Sequence, residues 1–210
     1  MTGTVLVADD HPLFRQALCL AVRKVLPDAR IAETGTLAAA AGVAAGADDL
    51  QLILLDLKMP GAVGYSGIAL LHAECPDVPI LVISSAESTG IADEVRAFGA
   101  IGFLSKGSDL ADIENAIGRA ISGGAPARPS GNDDPHIHDV RETVAGLTAM
   151  QLKVLLAVLD GQLNKQIAHS LNISEATVKA HMTAIMRKLD VSNRTQAALV
   201  ARSLGLDLRH

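Results

Sequence analysis

The chain has 210 residues, 49% of them apolar and only 2% aromatic, with a formal charge of −5. This length suits one large domain or two small ones with cores of small aliphatic side chains, and no apolar run reaches the ~18 residues of a spanning helix. Met1–Asp10 lacks the basic and apolar regions of a secretory signal, so a cytoplasmic protein without a membrane partner is expected, and Cys19 and Cys75 read as buried free thiols.

Charge divides the chain. Residues 1–121 carry 8 basic and 15 acidic side chains, residues 122–146 carry 2 and 4, and residues 147–210 carry 8 and 4. An acidic front and a basic tail predict two domains with different partners, the second a candidate for polyanions.

From the N-terminus, Thr4–Ala8, Leu52–Leu55, Ile80–Ile83 and Ile101–Leu104 read as buried parallel strands, with Arg30–Ala32 a weaker fifth. Helices are predicted over Pro12–Leu26, with Leu13, Ala17, Leu20, Ala21 and Lys24 near helical spacing, and over Thr36–Ala45, Ser66–Cys75, Thr89–Phe98 and Asp109–Ile121. Five βα units imply a doubly wound α/β fold with its crevice at the carboxyl ends of the strands. Ser122–Asp134 is rich in Gly, Pro and Ser and reads as linker; Asp139-x-x-Glu142 suggests a short capped helix, and His136 and His138 read as solvated linker residues.

From Leu147 the pattern is wholly helical. Thr148-x-x-Gln151 is a capping box ahead of Leu152, Leu155, Leu156 and Leu159, and Gly161 ends that helix. Asn164–Leu171 is a short second helix, Asn172-Ile173 a turn, and Ser174 caps a third helix, Glu175–Leu189; a fourth runs from Ser192 or Asn193 to about Leu204. The expected domains are residues 1–121, a flexible linker over 122–145, and residues 146–210.

Chemistry concentrates at the predicted strand ends. Asp9, Asp10 and Asp56 would repel one another without a cation, and hard oxygen ligands with room for water suit Mg²⁺. A carboxylate is also a competent nucleophile toward phosphorus, provided a metal, a cation and a hydroxyl balance the charge. Ser84 supplies the hydroxyl and Lys106 the cation. Any one of these residues alone would be an ordinary loop polar group, but five on four strand ends mark a pocket.

The constellation VADDHP, LLDLKMPG, VISS and GFLSKG, with 28 residues from Asp56 to Ser84 and 50 to Lys106, resembles the flavodoxin-like receiver domain of two-component response regulators. The resemblance implies that Asp56 takes a phosphoryl group from a phosphohistidine on a sensor histidine kinase. It further implies that Asp10, Asp56 and the Lys58 backbone carbonyl bind Mg²⁺ directly, with Asp9 acting mostly through water. Phe103 stands at the aromatic switch position of the family, although it also reads as a core phenylalanine. The physical expectation is that a new phosphate pulls Ser84 and Lys106 inward and vacates space for Phe103.

At the other end, a short helix, a tight turn and a capped helix suit a helix-turn-helix or a plain helical hairpin. Lys165, Lys179, Arg187, Lys188 and Arg194 cluster on these helices and favour double-stranded DNA. The run GQLNKQIAHSLNISEATVKAHMTAIMRKLDVSNRTQAA is similar to the all-α, four-helix LuxR-type effector domain of NarL/FixJ regulators. By that resemblance Lys179, Ala180 and Thr183 face base edges, and Lys165, Thr177, His181 and Arg187 make backbone or peripheral contacts. Ile167, Ala168, Leu171, Val178, Ile185 and Leu189 are core. Ala197, Ala198, Val200 and Ala201 resemble a homodimerisation surface, and equally suit packing within the domain. Gln151 replaces the Glu usual in the family, Thr183 is shorter than the Lys of some relatives, and Lys58 and Ala86 flank the acceptor at variable positions.

The function implied is transcriptional control by phosphorylation, without enzymatic turnover beyond self-catalysed phosphoryl transfer and dephosphorylation. Two other readings compete with it. An aspartate-nucleophile phosphatase of the haloacid dehalogenase type needs a carboxylate two residues after the nucleophile, where this chain has Lys58. A regulator independent of phosphorylation would not need the five pocket residues.

Overall fold

The computed structural model describes residues 3–85, 90–123, 143–144, 146–203 and 205–206. The expectations for Ala86, Thr89, His136, His138, Asp139, Glu142 and Leu204 lie outside the described residues.

Strands β1 (Thr4–Ala8), β2 (Arg30–Thr34), β3 (Leu50–Leu55), β4 (Ile80–Ser84) and β5 (Gly102–Ser105) form one sheet in the order β2-β1-β3-β4-β5. Every neighbouring pair is parallel. The connection order reverses beside β1, which opens a crevice between the carboxyl ends of β1 and β3. Strands β2 and β3 run longer than their apolar stretches: Glu33 and Thr34 pair with Val7 and Ala8, and Leu50 pairs with Thr4. Backbone pairing follows register rather than hydropathy, and an edge strand can carry an exposed Glu33.

Alternation along the strands feeds two apolar layers. Val5, Val7, Leu52, Leu54, Leu81 and Ile83 face α1 (Pro12–Val25) and α5 (Leu110–Ile121). Leu6, Ala8, Ile53, Leu55 and Val82 face α2 (Leu37–Gly46), α3 (Ser66–Glu74) and α4 (Ile91–Ala97). Each fully buried Leu or Ile contributes about 2 kcal/mol through removal from water.

The stripe expected on α1 turns inward only in part, at the buried Ala21 and the half-buried Ala17. Leu13 and Leu20 are 84% and 65% exposed, while Leu18, Cys19, Ala21 and Val22 are buried. Apolar residues stand on both sides of α1, so its spacing alone could not orient it. Both cysteines are free thiols; Cys19 is buried, but Cys75 is only half-buried and donates through Sγ to the Ala44 carbonyl. Burial raises both thiol pKa values.

The C-terminal helices are α6 (Ala149–Leu159), α7 (Asn164–Ser170), α8 (Glu175–Lys188) and α9 (Arg194–Ser203). The capping box on α6 forms in both directions: Thr148 Oγ1 accepts from Gln151 N–H, and Gln151 Oε1 accepts from Thr148 N–H. Gly161 ends α6 at φ +81, and Asn172 turns the chain from α7 into α8 at φ +53. Leu152, Leu155, Leu159, Ile167, Ala168, Val178, Ile185 and Leu189 are buried, and Leu171 is half-buried. Among the described residues, no helix is long and apolar enough to cross a membrane.

Candidate functional site

The crevice gathers the carboxylates. The Asp9 N–H donates to the Thr34 carbonyl and the Asp56 N–H to the Ala8 carbonyl, so the sheet ladder runs on into both residues. Asp9 and Asp56 are 0% and 2% exposed, whereas the Asp10 side chain is about a third exposed. Ligand atoms of Asp9, Asp10, His11 and Asp56 lie within 4.8 Å of one another. The Lys58 N–H donates to Asp56 Oδ1 at 3.1 Å, which ties the turn after β3 to the carboxylate. Lys58 itself is exposed.

Lys106 crosses the crevice from the end of β5. Its Nζ lies 2.8 Å from Asp56 Oδ2 and 2.7 Å from Asp9 Oδ2, and its backbone N–H donates to the Ser84 carbonyl. Burial alone would lower the Lys106 pKa, but its bonds to Asp56 and Asp9 and their charges outweigh this, and the pKa is raised. The Phe14 ring, 4.9 Å from Nζ, adds a cation–π contact.

Ser84 Oγ is buried and has no hydrogen-bond partner among the described residues. Asp9 Oδ2 and Asp10 Oδ1 make close ionic contacts but no well-directed hydrogen bond. Buried oxygens with unused lone pairs are the donor set a hard cation takes. Phe103 is half-buried on β5, where it pairs with Val82.

Sequence reasoning missed His11 and Phe14. His11 Nδ1 lies 2.7 Å from Asp10 Oδ1 and 3.4 Å from Lys106 Nζ, and the backbone N–H of His11 donates to Asp9 Oδ1. Its place directly after two aspartates was the available signal. Phe14 had none, because its contact with Lys106 spans most of the domain.

On α8, 3.6 residues per turn place Lys179, Ala180, Thr183 and Arg187 within an arc of about 100°. All four are exposed, and Val178, Met182 and Ile185 are buried on the opposite side. Thr177 and His181 lie together outside that arc, between it and the buried side, and are half-buried, and Lys165 is exposed on α7. The Thr183 hydroxyl donates back to the Lys179 carbonyl.

Two cations grouped with these by sequence are engaged inside the domain. Lys188 Nζ donates to the Gly146 carbonyl and Gln151 Oε1 at 2.9 and 3.0 Å. Arg194 donates to Asn164 Oδ1 and the Gln162 carbonyl. On α9, Ala197 and Ala201 are buried in the core of the domain, Ala198 and Val200 are half-buried, and Leu199 is 59% exposed.

Residues 5–118 match the family of response regulator receiver domains, and residues 145–201 match the LuxR family of bacterial regulatory proteins. The glycerol metabolism activator of Pseudomonas putida is 38% identical, with 94% of each chain covered. LiaR of Bacillus subtilis is 34% identical over 94% of this chain and 95% of its own. NarP, the nitrate/nitrite response regulator of Escherichia coli, is 32% identical over 93% of each. The signal receiver domain of NarL from Mycobacterium tuberculosis shares 30% identity with a TM-score of 0.50, over 58% of this chain and 98% of that one. RcsB of Salmonella typhimurium, at 22% identity and a TM-score of 0.54 over 96% and 98% of the two chains, shares the fold. The chain therefore belongs to the NarL/FixJ-type response regulators, DNA-binding transcriptional regulators of two-component systems that join a receiver to a LuxR-type helix-turn-helix.

Proposed function

We propose that Asp56 is the phosphoacceptor and that its phosphorylation by a sensor histidine kinase controls DNA binding through α8. The observation that carries this reading is the buried Asp56 carboxylate, 2.8 Å from Lys106 Nζ, beside a Ser84 hydroxyl with no partner among the described residues. An Asp56 carboxylate oxygen attacks the phosphorus of a phosphohistidine as the P–N bond breaks. The electron pair passes to the imidazole nitrogen, which takes up a proton. Lys106 and Ser84 then hold phosphoryl oxygens, and self-catalysed hydrolysis ends the state.

Mg²⁺, held by Asp9, Asp10, Asp56 and the Lys58 carbonyl, would supply neutralisation of the charge that gathers on the phosphoryl oxygens. The buried oxygens of Asp9 and Asp10, which keep lone pairs beyond their ionic contacts, fit it. Phe103, half-buried beside β4, follows Ser84 and Lys106 as they turn toward the phosphate.

Lys179, Ala180 and Thr183 read base edges, while Lys165, Thr177, His181 and Arg187 contact the DNA backbone or periphery. The single exposed arc of Lys179, Ala180, Thr183 and Arg187 supports the assignment for those four. The protein acts in the cytoplasm as a homodimer on paired half-sites of promoter DNA. The receiver is taken as residues 1–121, the linker as 122–145 and the effector domain as 146–210.

The test is phosphorylation by a small phosphodonor with Mg²⁺, followed by DNA binding at fixed salt. Wild type is expected to gain one acid-stable, base-labile phosphate and higher affinity, and Asp56→Asn neither. Equal affinity and oligomeric state with and without phosphodonor would favour a phosphorylation-independent regulator.

A further inference from the structure

Helix α3 is held at both ends by the effector domain. At its start the Tyr65 N–H donates to the Gly205 carbonyl at 3.0 Å. The Tyr65 ring lies so close that a Cβ on Gly205, which holds φ +78, would stand 3.1 Å from Tyr65 Cδ2. At its other end Glu74 pairs with Lys153 of α6 at 2.5 Å. Between these ends Leu70 and Leu156 line an apolar cleft of about 640 Å³ that Leu206 also borders. Leu206 is fully buried, and the apolar core continues from the receiver into the effector domain.

Tyr65 has a second set of contacts. Its ring stacks on Phe98, at the end of α4, with centroids 5.3 Å apart and planes inclined by 20°. Its hydroxyl donates to Glu94 Oε2 of α4. One residue thus touches α4 and the segment after α9 together. The base-facing arc of α8 stays exposed in this arrangement, so the contact holds the effector domain without covering Lys179, Ala180, Thr183 or Arg187.

We propose that α3 is a two-ended clamp that fixes the orientation of the effector domain, and that Tyr65 makes one end of it answer to α4. This rests on Asp56 as the phosphoacceptor. Ser84 closes β4 and α4 opens at Ile91, so drawing Ser84 toward a phosphate shifts the helix that carries Glu94 and Phe98. Tyr65 follows them and releases Gly205. The Glu74–Lys153 pair then holds α6 at one end of α3 only, which leaves the effector domain free to turn about that point. The freed effector domain can then adopt the orientation that paired half-sites demand, while affinity for a single half-site stays the same.

Tyr65 is the only tyrosine in a chain without tryptophan, so tyrosine emission of the full-length protein reports this contact directly. A small phosphodonor is expected to change emission and raise collisional quenching, and to increase domain separation in small-angle scattering. Tyr65→Phe keeps the stack and the backbone bond but loses the bond to Glu94; it should take up phosphate normally yet separate less. Glu74→Lys should lower the clamped population about fivefold, and Glu74→Lys with Lys153→Glu should restore it.

A phosphorylated chain with unchanged emission and separation overturns the relay, as does a Tyr65→Phe variant that separates like wild type. A charge swap that stays as open as the single reversal overturns the clamp. If Asp56 takes up no phosphate, the acceptor reading fails and the relay loses its input, while the charge-swap comparison still decides the clamp.

Discussion

Replacing Lys106 by Met removes the one cation within 3 Å of both Asp9 and Asp56 among the described residues. Each carboxylate side chain is 1% exposed and that of Lys106 is 13% exposed, so water cannot stand in for the ammonium. Breaking a buried pair by removing one partner costs about 3 kcal/mol or more. For a domain of this size that lowers the melting temperature by roughly 10 °C. The assay is thermal unfolding of wild type and Lys106→Met in chelator and again in Mg²⁺. Mg²⁺ should raise the variant more than wild type, because it meets two buried carboxylates that have lost the Lys106 ammonium. Adding Asp56→Asn to Lys106→Met should recover part of the loss, since one buried charge then disappears.

The alkaline limb carries the same signature. The Lys106 pKa is raised in the folded protein, so its contribution is fully present below its ordinary value of 10.5 and is lost as pH rises through the folded value. Lys106→Met should lack that part of the alkaline decline. A variant that melts with wild type in chelator, with no extra gain from Mg²⁺, would refute the electrostatic account of the pocket.

Two further outcomes test other parts of the molecule. Gly99 holds φ +102, and a Cβ there would lie 2.6 Å from the His72 ring; Gly99→Ala should cost about 1–3 kcal/mol in chemical denaturation, and an unchanged midpoint would refute the packing argument. Lys179→Ala should weaken binding to operator DNA, and a salt slope reduced by about one would mark Lys179 as a phosphate contact rather than a base reader.

Much of this molecule was legible in the chain because its signals are local. Parallel strands buried on both faces read as short apolar runs, and a polar residue directly after such a run falls at the carboxyl edge of the sheet. Asp9, Asp10, Asp56, Ser84 and Lys106 were found in that way. The box of Thr148 and Gln151 was equally plain, since a cap is settled within four residues.

What needed the fold depends on neighbours distant in sequence. Leu13 and Leu20 share the helical spacing of Ala21 on α1, yet the sheet takes Ala21 with Leu18 and Val22 and leaves both leucines exposed. Helical spacing defines two faces without saying which one finds a partner. Lys188 and Arg194 carried the charge of DNA contacts, but their nearest acceptors proved to be Gln151, Gly146, Asn164 and Gln162 of their own domain. Local runs of residues therefore determined the strand ends at which Asp9, Asp10, Asp56, Ser84 and Lys106 stand. Only tertiary packing decided which cations remain available, that His11 and Phe14 join the site, and that Tyr65 and Glu74 hold one domain against the other. Those contacts form between elements that register, helix orientation and docking bring together, and none of these is written in a local run of residues.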